Sequence, residues 1–436
     1  MKRLDTFFHL TEKGATLAGE VRGGCTTFCS TMYLAAVIPG VLSGAGMDFT
    51  AVMTATCLIA GLGSIAAGLW SNSPFVLAPG LGFPTLFTYT ICQQYGCTWQ
   101  QALALVFLSG ALFLLLSLSP LRERLTDALP MPFKFALSAG VGLFLTLSGL
   151  INAGLVTAED NLLDMGAIAA PGPLLALLGI FVTAVLSIKK VPGALMLGMA
   201  LTALLGIPLG VTDLPEALVA APDLSLTAFA LDFSVLTALA PVPLISALLS
   251  LVVSACFDSV GTLLGVGGDA GFTDSTGDLP GQREVMACSG AATCAGALLG
   301  VSSVTAVAES AAGIREGART GLSAVVTGVL FLALTPFAPL AGIASGAAMA
   351  APLVMVGMGM MSGITQITWK HVEISLPCFL MIVGMPFTFS ITTGVMLGVI
   401  SYAVVMVCRG RARLVDPALY LLAAMFLLNA ALGALA

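Results

Sequence analysis

Twelve apolar stretches of spanning length are the strongest constraint on how this chain can fold. They fall at 18–43, 49–71, 98–118, 132–151, 171–187, 191–211, 236–266, 285–301, 318–344, 348–364, 371–389 and 391–408. About 17 residues or more suffice for a helix to cross the hydrocarbon core of a bilayer. In lipid the backbone must satisfy its own N–H and C=O groups, so stretches of this kind are helices. Of the 436 residues, 58% are hydrophobic and only 9% are charged, too few charges to cover a soluble protein of this size. The expected class is an all-α polytopic membrane protein. The polar, amphipathic start from Lys2 to Lys13 lacks the apolar region of a cleavable signal peptide. Ten Cys are scattered without metal-ligand spacing and read as small core residues, with Cys92 and Cys97 flanking a predicted outer loop where they could pair. Nothing in the pattern calls for a metal, a cofactor or a nucleic-acid partner.

Two shorter, more polar segments, 74–93 and 303–316, bring the count to about fourteen crossings. The basic residues test that count. With a cytoplasmic N-terminus, loops after even-numbered segments should hold Lys and Arg. The N-terminal region holds Lys2, Arg3, Lys13 and Arg22; the next such loops hold Arg122, Arg124 and Lys134, then Lys189 and Lys190, then Arg283. Arg315 and Arg319, Lys370, and finally Arg409, Arg411 and Arg413 complete the 16. None falls in an outer loop, where acids such as Asp48, Glu159, Asp164, Asp223 and Asp232 sit instead. Removing either short polar segment would place several of these cations outside. The expected location is the cytoplasmic membrane. The apolar stretch 416–435 fits either a further span or a helix at the inner interface.

Ala55-Thr56-Cys57 matches Ala292-Thr293-Cys294, and each opens a segment that precedes one of the short polar ones. Leu108–Leu114 parallels Val326–Leu332, and Gly193–Gly198 parallels Gly394–Gly398. The halves are then 1–211 and 236–408, joined by an extracytoplasmic connector at 212–235, with a basic stretch and an extra apolar helix at 409–436. Seven crossings per half make the second repeat inverted, a plan that places a site at midplane where broken helices meet.

The third segment contains Ala78-Pro79-Gly80-Leu81-Gly82-Phe83-Pro84-Thr85. Two prolines and two glycines there cannot hold a continuous helix, so segment 3, and segment 10 with Gly300 before and Gly313 within it, are expected to be broken by short extended stretches. Two acids lie deep in predicted spans with no cation beside them: Asp258 in segment 8 and Glu309 in segment 10. A charge at bilayer depth costs about 2.5–3.5 kcal/mol and marks a functional site by default. An unpaired carboxylate there can carry a proton or accept hydrogen bonds from a solute. Asp258 and Glu309 are thus the candidates for both substrate recognition and proton coupling. Backbone at Pro79, Gly80, Gly82 and Gly313, together with Ser310, Pro84 and Thr31, is expected around them. Among the nearby aromatics Phe28, Tyr33, Phe83, Phe87, Tyr89 and Phe257, Phe83 is the first candidate for stacking on a planar solute, with Phe257 beside Asp258. Glu373 reads as an interfacial partner of Lys370 and His371.

These segments resemble the nucleobase–cation symporter-2 family, in particular its guanine/hypoxanthine/adenine permease branch. The resemblance rests on Thr26-Thr27-Phe28 with Met32-Tyr33, on Ala78–Gly82 with Phe87-Thr88-Tyr89-Thr90, and on Phe257-Asp258-Ser259-Val260-Gly261-Thr262-Leu263. Glu309-Ser310-Ala311-Ala312-Gly313, Arg319-Thr320-Gly321-Leu322 and Met385-Pro386-Phe387-Thr388-Phe389-Ser390-Ile391 complete it. It implies fourteen segments divided into core and gate domains, elevator-like movement, proton symport, a homodimer, and base recognition by the acids matched by Asp258 and Glu309. Pro84 stands where the purine branch usually has Asn, and Ser259 where Thr is usual. Pro offers a base edge neither donor nor acceptor.

The leading expectation is a proton-coupled importer of purine nucleobases such as guanine and hypoxanthine. The same fold with a different cargo (uracil, xanthine or another small planar solute) is the alternative that Pro84 raises. An anion carrier would need a cation near segments 3 and 10. A diaspartyl-type intramembrane enzyme would need two acids sharing a proton, in a Gly-x-Gly-Asp context that is absent.

Overall fold

The computed structural model describes residues 2–119, 130–159, 162–191, 193–212, 219, 221–269, 272, 279–337, 346–388, 391–417, 419–420, 423–424 and 426–427. Phe257 is described in its backbone alone, and the expected helix at 416–435 lies largely outside these residues. The first half contains helices α1 (Lys2–Phe8), α2 (Leu17–Thr31), α3 (Leu34–Ser43), α4 (Phe49–Ser71), α5 (Trp99–Leu118), α6 (Met131–Asn152), α7 (Pro171–Ile188) and α8 (Ala194–Gly206). The second contains α9 (Pro241–Asp269), α10 (Gln282–Leu299), α11 (Ser310–Arg315), α12 (Gly321–Leu334), α13 (Gly346–Met360), α14 (Val372–Phe387) and α15 (Ile391–Cys408). Strands are short: β1 (Leu77–Pro79) pairs with β4 (Val304–Ala306), and β2 (Val156–Glu159) with β3 (Leu162–Met165).

Among the described residues, seven helical stretches are long and apolar enough to cross a membrane. Shorter apolar helices stand beside them at Ala194–Gly206, Gly321–Phe337, Val372–Phe387 and Thr393–Cys408. Leu115, Phe181, Ile188, Leu204 and Phe379 are exposed on these helices, which places apolar side chains where lipid chains would cover them. The protein is an integral membrane protein. Polar side chains set several helix starts: Asp48 accepts the Ala51 N–H at the head of α4, and Thr98 with Gln101 forms a capping box on α5.

The span expected at 18–43 is one candidate crossing, Leu17–Ser43, with a turn at Met32–Tyr33 between α2 and α3. The N–H groups of Ala35 and Ala36 reach back only three residues, to the Met32 and Tyr33 carbonyls, which tightens the turn between α2 and α3. Segments 3 and 10 are broken as the sequence suggested, by β1 and β4. After β1 the chain makes one helical turn at Gly82–Thr85 and then a π-helical stretch at Leu86–Gln94. Cys92 and Cys97 are both free thiols, so the pairing their spacing allowed is not made. Glu373 pairs with Arg409 rather than with Lys370 or His371. Three positions beyond Lys370, the carboxylate is on helix α14, which packs along α15 and so meets the arginine at that helix's end.

Packing divides the described helices into two sets. In one, α4 lies against α12 and α5 against α10, with α2 on α12 and α9 on α5. In the other, α6 packs on α13 and α14, α7 on α8 and α13, and α14 on α15. Small residues let the backbones close up within the first set. A Cβ on Gly328 would come 2.6 Å from the Gly61 carbonyl oxygen, and one on Gly290 2.8 Å from Leu114 Cα. Glu20 joins α2 to α12 in a different way. Its buried carboxylate accepts the N–H groups of Arg319 (2.7 Å), Thr320 (3.0 Å) and Ser323 (3.1 Å), capping α12 from a neighbouring helix. Leaving such donors buried and unmet costs roughly 1–3 kcal/mol each. Glu20→Ala is therefore expected to lower the melting temperature of purified protein in detergent, with Glu20→Gln, which keeps an acceptor oxygen, falling between it and the parent.

Candidate functional site

The site is built around a two-strand crossing. In β1 and β4 the register pairs Leu77 with Ala306, Ala78 with Thr305 and Pro79 with Val304. The Val307 N–H continues the ladder to the Val76 carbonyl at 3.0 Å. Antiparallel strands alternate between residues that face the partner with their N–H and C=O and residues that turn them away. With Val76 and Val307 bonded to each other, Leu77 and Pro79 on one strand and Val304 and Ala306 on the other turn away, and Leu77 and Val304 each present an outward N–H and C=O. A hydroxyl from the preceding helix meets each of them. Ser64 Oγ on α4 donates to the Leu77 carbonyl and accepts its N–H, both at 3.0 Å. Thr293 Oγ1 on α10 does the same for Val304, at 3.2 and 3.0 Å, and Ser289 Oγ adds a bond to the same carbonyl at 2.6 Å.

The local two-fold of the strand pair carries Leu77 onto Val304, so the clamps are two-fold related as well. The counterpart of Thr293 is therefore Ser64. Thr56, which the matching Ala-Thr-Cys triplets align with Thr293, has a buried hydroxyl without a partner among the described residues. Pro79 fits at its position because an N–H there would point away from the partner strand.

Two carboxylates flank this crossing. Asp258, on α9, accepts the Thr305 hydroxyl on Oδ2 at 2.7 Å. Glu309, at the head of α11, accepts the Tyr33 hydroxyl on Oε1 at 2.7 Å. Each acid keeps a second oxygen, and among the described residues neither meets a cation. Gly80 lies between the elements: a Cβ there would fall 2.8 Å from Thr305 Oγ1 and 3.2 Å from both Asp258 Oδ2 and Phe83 Cδ2. That close approach is the physical reason for glycine in this turn.

Asp258, Glu309, Pro79, Gly80, Gly82 and Phe83 all line one cavity of about 850 Å³. Tyr33 and Thr305 line it too; neither was singled out as a site residue from sequence, although both fall in the stretches that raised suspicion. The remaining candidates stand behind this wall. Ser310 Oγ accepts the Val76 N–H at 3.1 Å, so it serves the strand crossing. Thr31 returns its hydroxyl to the Thr27 carbonyl at 2.8 Å. Gly313 lets α11 approach Gly23 and Thr27 on α2. Pro84 is buried but is not a lining residue. Phe83 and Leu86, three apart, share the cavity face, and Pro84, one residue on, is rotated about 100° from Phe83. The side chain of Phe257 lies outside the described residues. Of the other aromatics, Phe28 packs edge-on against Phe331 and Tyr89 against Phe144.

The opposite wall comes from the second helix set: Phe135, Leu137, Ser138 and Val141 of α6, Leu195 of α8, and Val356, Gly359 and Met360 of α13. The cavity thus lies between the two sets, and the exposed Met131 and Arg315 are among its lining residues. If the clamps hold the crossing in shape, Thr293→Val should lower the melting temperature and Ser64→Ala should do so comparably. Both are read by thermal unfolding in detergent, with Thr56→Val, whose hydroxyl has no partner among the described residues, as the neutral control.

A family model described as a permease family, Xan_ur_permease, matches residues 18–397. The adenine permease AdeP of Escherichia coli (strain K12) is 36% identical over 427 residues, covering 98% of this chain and 95% of that protein. The guanine/hypoxanthine permease PbuO of Bacillus subtilis (strain 168) is 36% identical over 428 residues, covering 97% and 99%. Among solved structures, the transmembrane domain of a cyanobacterium bicarbonate transporter, BicA, superposes with a TM-score of 0.66 at 18% identity. That match covers 88% of this chain and 97% of the other and shows a shared fold.

Proposed function

The chain belongs to the permease family matched over residues 18–397, the nucleobase–cation symporter-2 group that its motifs resemble, and from that premise we propose that it imports purine nucleobases together with protons. It is a permease and not an enzyme. The observation that carries the proposal is the pair of acids at the strand crossing. Each has one oxygen held by a hydroxyl and one left for a solute, and Phe83 lines the same cavity. A purine is planar, so it can stack on Phe83, and its edge N–H groups can donate to Glu309 and Asp258. Guanine, with adjacent N1–H and N2–H donors, suits a carboxylate best. Hydrogen bonds to charged groups contribute about 1.5–3 kcal/mol each.

One of the two acids also takes the coupling proton, since neither meets a cation among the described residues. The reading assigns alternating access to the two packed sets. The set holding the strand crossing is the moving core of an elevator, the set built on α6, α7, α13 and α14 is the gate, and the inverted repeats 1–211 and 236–408 each contribute to both. The exposed Met131 and Arg315 mark the cytoplasmic side, by the placement of the basic residues. Pro84 acts through the shape of the turn behind Phe83.

The test is uptake of labelled guanine, hypoxanthine and adenine in cells lacking their own permeases, with uracil and xanthine as competitors. Uptake should rise as the outside medium is acidified and fall with a protonophore. Asp258→Ala and Glu309→Ala should each abolish it, and wild-type uptake by the double variant overturns the assignment. Tyr33→Phe and Thr305→Val, which leave the carboxylates in place but untethered, should weaken base binding roughly tenfold each, the equivalent of about 1.4 kcal/mol. This is measured by ligand displacement on purified protein whose melting temperature is unchanged.

A further inference from the structure

The cavity stops part-way along two helices of the second set. On α6 its lining runs from Met131 through Ser138 to Val141. Phe144 and Leu145, just beyond, are 1% and 0% exposed and do not line it. On α13, which ends at Met360, the lining consists of Val356, Gly359 and Met360. Leu353, nearer the start of that helix, is 1% exposed and does not line it either. The first helix set supplies what packs beyond these limits. Tyr89 lies in the π-helical stretch that continues the broken third segment and packs on α5. Its ring meets Phe144 edge-on, with centroids 6.0 Å apart and planes at 89°. Its hydroxyl has a hydrogen bond with the Asn152 side chain, at the exposed end of α6. Phe144 and Asn152 are eight residues apart, about 12 Å on a helix, so Tyr89 lies along that half of α6. A second contact stands beside it. Gly40 of α3 faces Met349 of α13 so closely that a Cβ on the glycine would overlap the sulfur. The Thr88 hydroxyl donates to the Val41 carbonyl at 3.0 Å, which ties the π-helical stretch to α3. Both contacts therefore come from one joined piece of the first set.

We infer that Tyr89 is the outer gate of this permease, a positioning residue that shuts the cavity from outside by latching the first helix set to α6. The inference rests on the transport reading, in which the two sets move past each other and the basic end of α6 is cytoplasmic. The two parts of the side chain do different work. The ring packs on buried Phe144 and keeps water out of the apolar part of the seam. The hydroxyl bonds to Asn152 where the seam meets water, so water can replace the bond as the seam opens. A contact shifts a conformational equilibrium only if it is made in one state and not in the other. In this reading the Tyr89–Asn152 bond and the ring contact belong to the closed state alone, because sliding of the first set carries Tyr89 off α6. Leu86, three residues earlier in the same stretch, lines the cavity, so the gate and the solute's wall are parts of one element. Tyr89 itself does not line the cavity, which separates its part from that of Phe83.

The experiment uses the full chain in intact cells, with Ser138→Cys as a reporter in the cavity and with Cys92 and Cys97 replaced by Ser. A membrane-impermeant maleimide is added outside, and modification at position 138 is read by mass on the purified protein. Labelling should be slow in the parent. Tyr89→Phe, which keeps the ring and loses the latch, should speed it severalfold. Tyr89→Ala and Phe144→Ala should speed it roughly tenfold or more. Asn152→Ala should match Tyr89→Phe, and the two together should add little to either alone, since both remove one bond. A second arm does not depend on weakening the seam. In Tyr89→Cys/Phe144→Cys a short bifunctional thiosulfonate should link the two positions and stop base uptake, with uptake restored by reductant. The linked, purified protein should still bind the base. Labelling unchanged in the Tyr89 and Phe144 variants, or uptake undiminished in the linked protein, overturns the inference and leaves the transport reading intact. Failure of the parent to bind or take up any base overturns the transport reading itself, and this inference with it.

Discussion

The pairing of β1 with β4 is the interaction on which the rest of this structure depends. A helix that crosses a membrane satisfies its own backbone; a helix interrupted at midplane does not. Here the interruption occurs twice, and the two extended pieces satisfy each other through the ladder that includes Val307 and Val76. Of what the ladder leaves over, the outward N–H and C=O of Leu77 and Val304 go to Ser64 and Thr293. Because both clamps lie on long helices, α4 and α10, the crossing is held by rigid elements. The helices in turn close up through glycines facing backbone, and Glu20 fixes α2 to the head of α12.

The crossing sets the geometry of the acids. Thr305 belongs to β4 and pairs with Ala78, so its hydroxyl reaches Asp258 only because the strand register puts it there. Glu309 follows three residues after β4, and its partner Tyr33 comes from the turn in the first span. Two features of unrelated local origin, a strand register and a turn between α2 and α3, therefore hold two carboxylates in one cavity, each with an oxygen to spare. The proposed function draws on one property of these acids: each has a hydroxyl partner and no cation among the described residues, which leaves room for a solute or a proton where a lysine would otherwise stand.

The division of the helices into two sets gives the cavity its second wall. The floor comes from the set that carries the crossing, the roof from α6, α8 and α13. A bicarbonate transporter's membrane domain shares this fold at 18% identity. In this chain the cavity between the two sets is lined by two acids and a phenylalanine, Asp258, Glu309 and Phe83.

Much of this was legible in the residues themselves. Apolar segments free of charge can only be membrane helices, and a Pro-Gly-Leu-Gly-Phe-Pro run can only break one. A carboxylate at depth announces a site, so Asp258, Glu309 and the glycines around them could be named from composition and spacing. What the sequence left undetermined is whatever depends on rotation and register. Pro84 is next to a lining residue and yet does not line the cavity, because one residue along a helical turn is about 100° of rotation. Ser310 looked like a ligand-facing hydroxyl and serves Val76. Glu20 lay inside a predicted span and drew no notice, since its three partners are some 300 residues further along the chain. Ser64, rather than the Thr56 of the aligned triplet, clamps β1, because the two-fold relates positions in space and tolerates unequal spacing in the chain. Hydrophobicity and helix-breaking act locally and are written residue by residue. Partners of buried hydroxyls and carboxylates are chosen across the fold, so only the tertiary structure decided them.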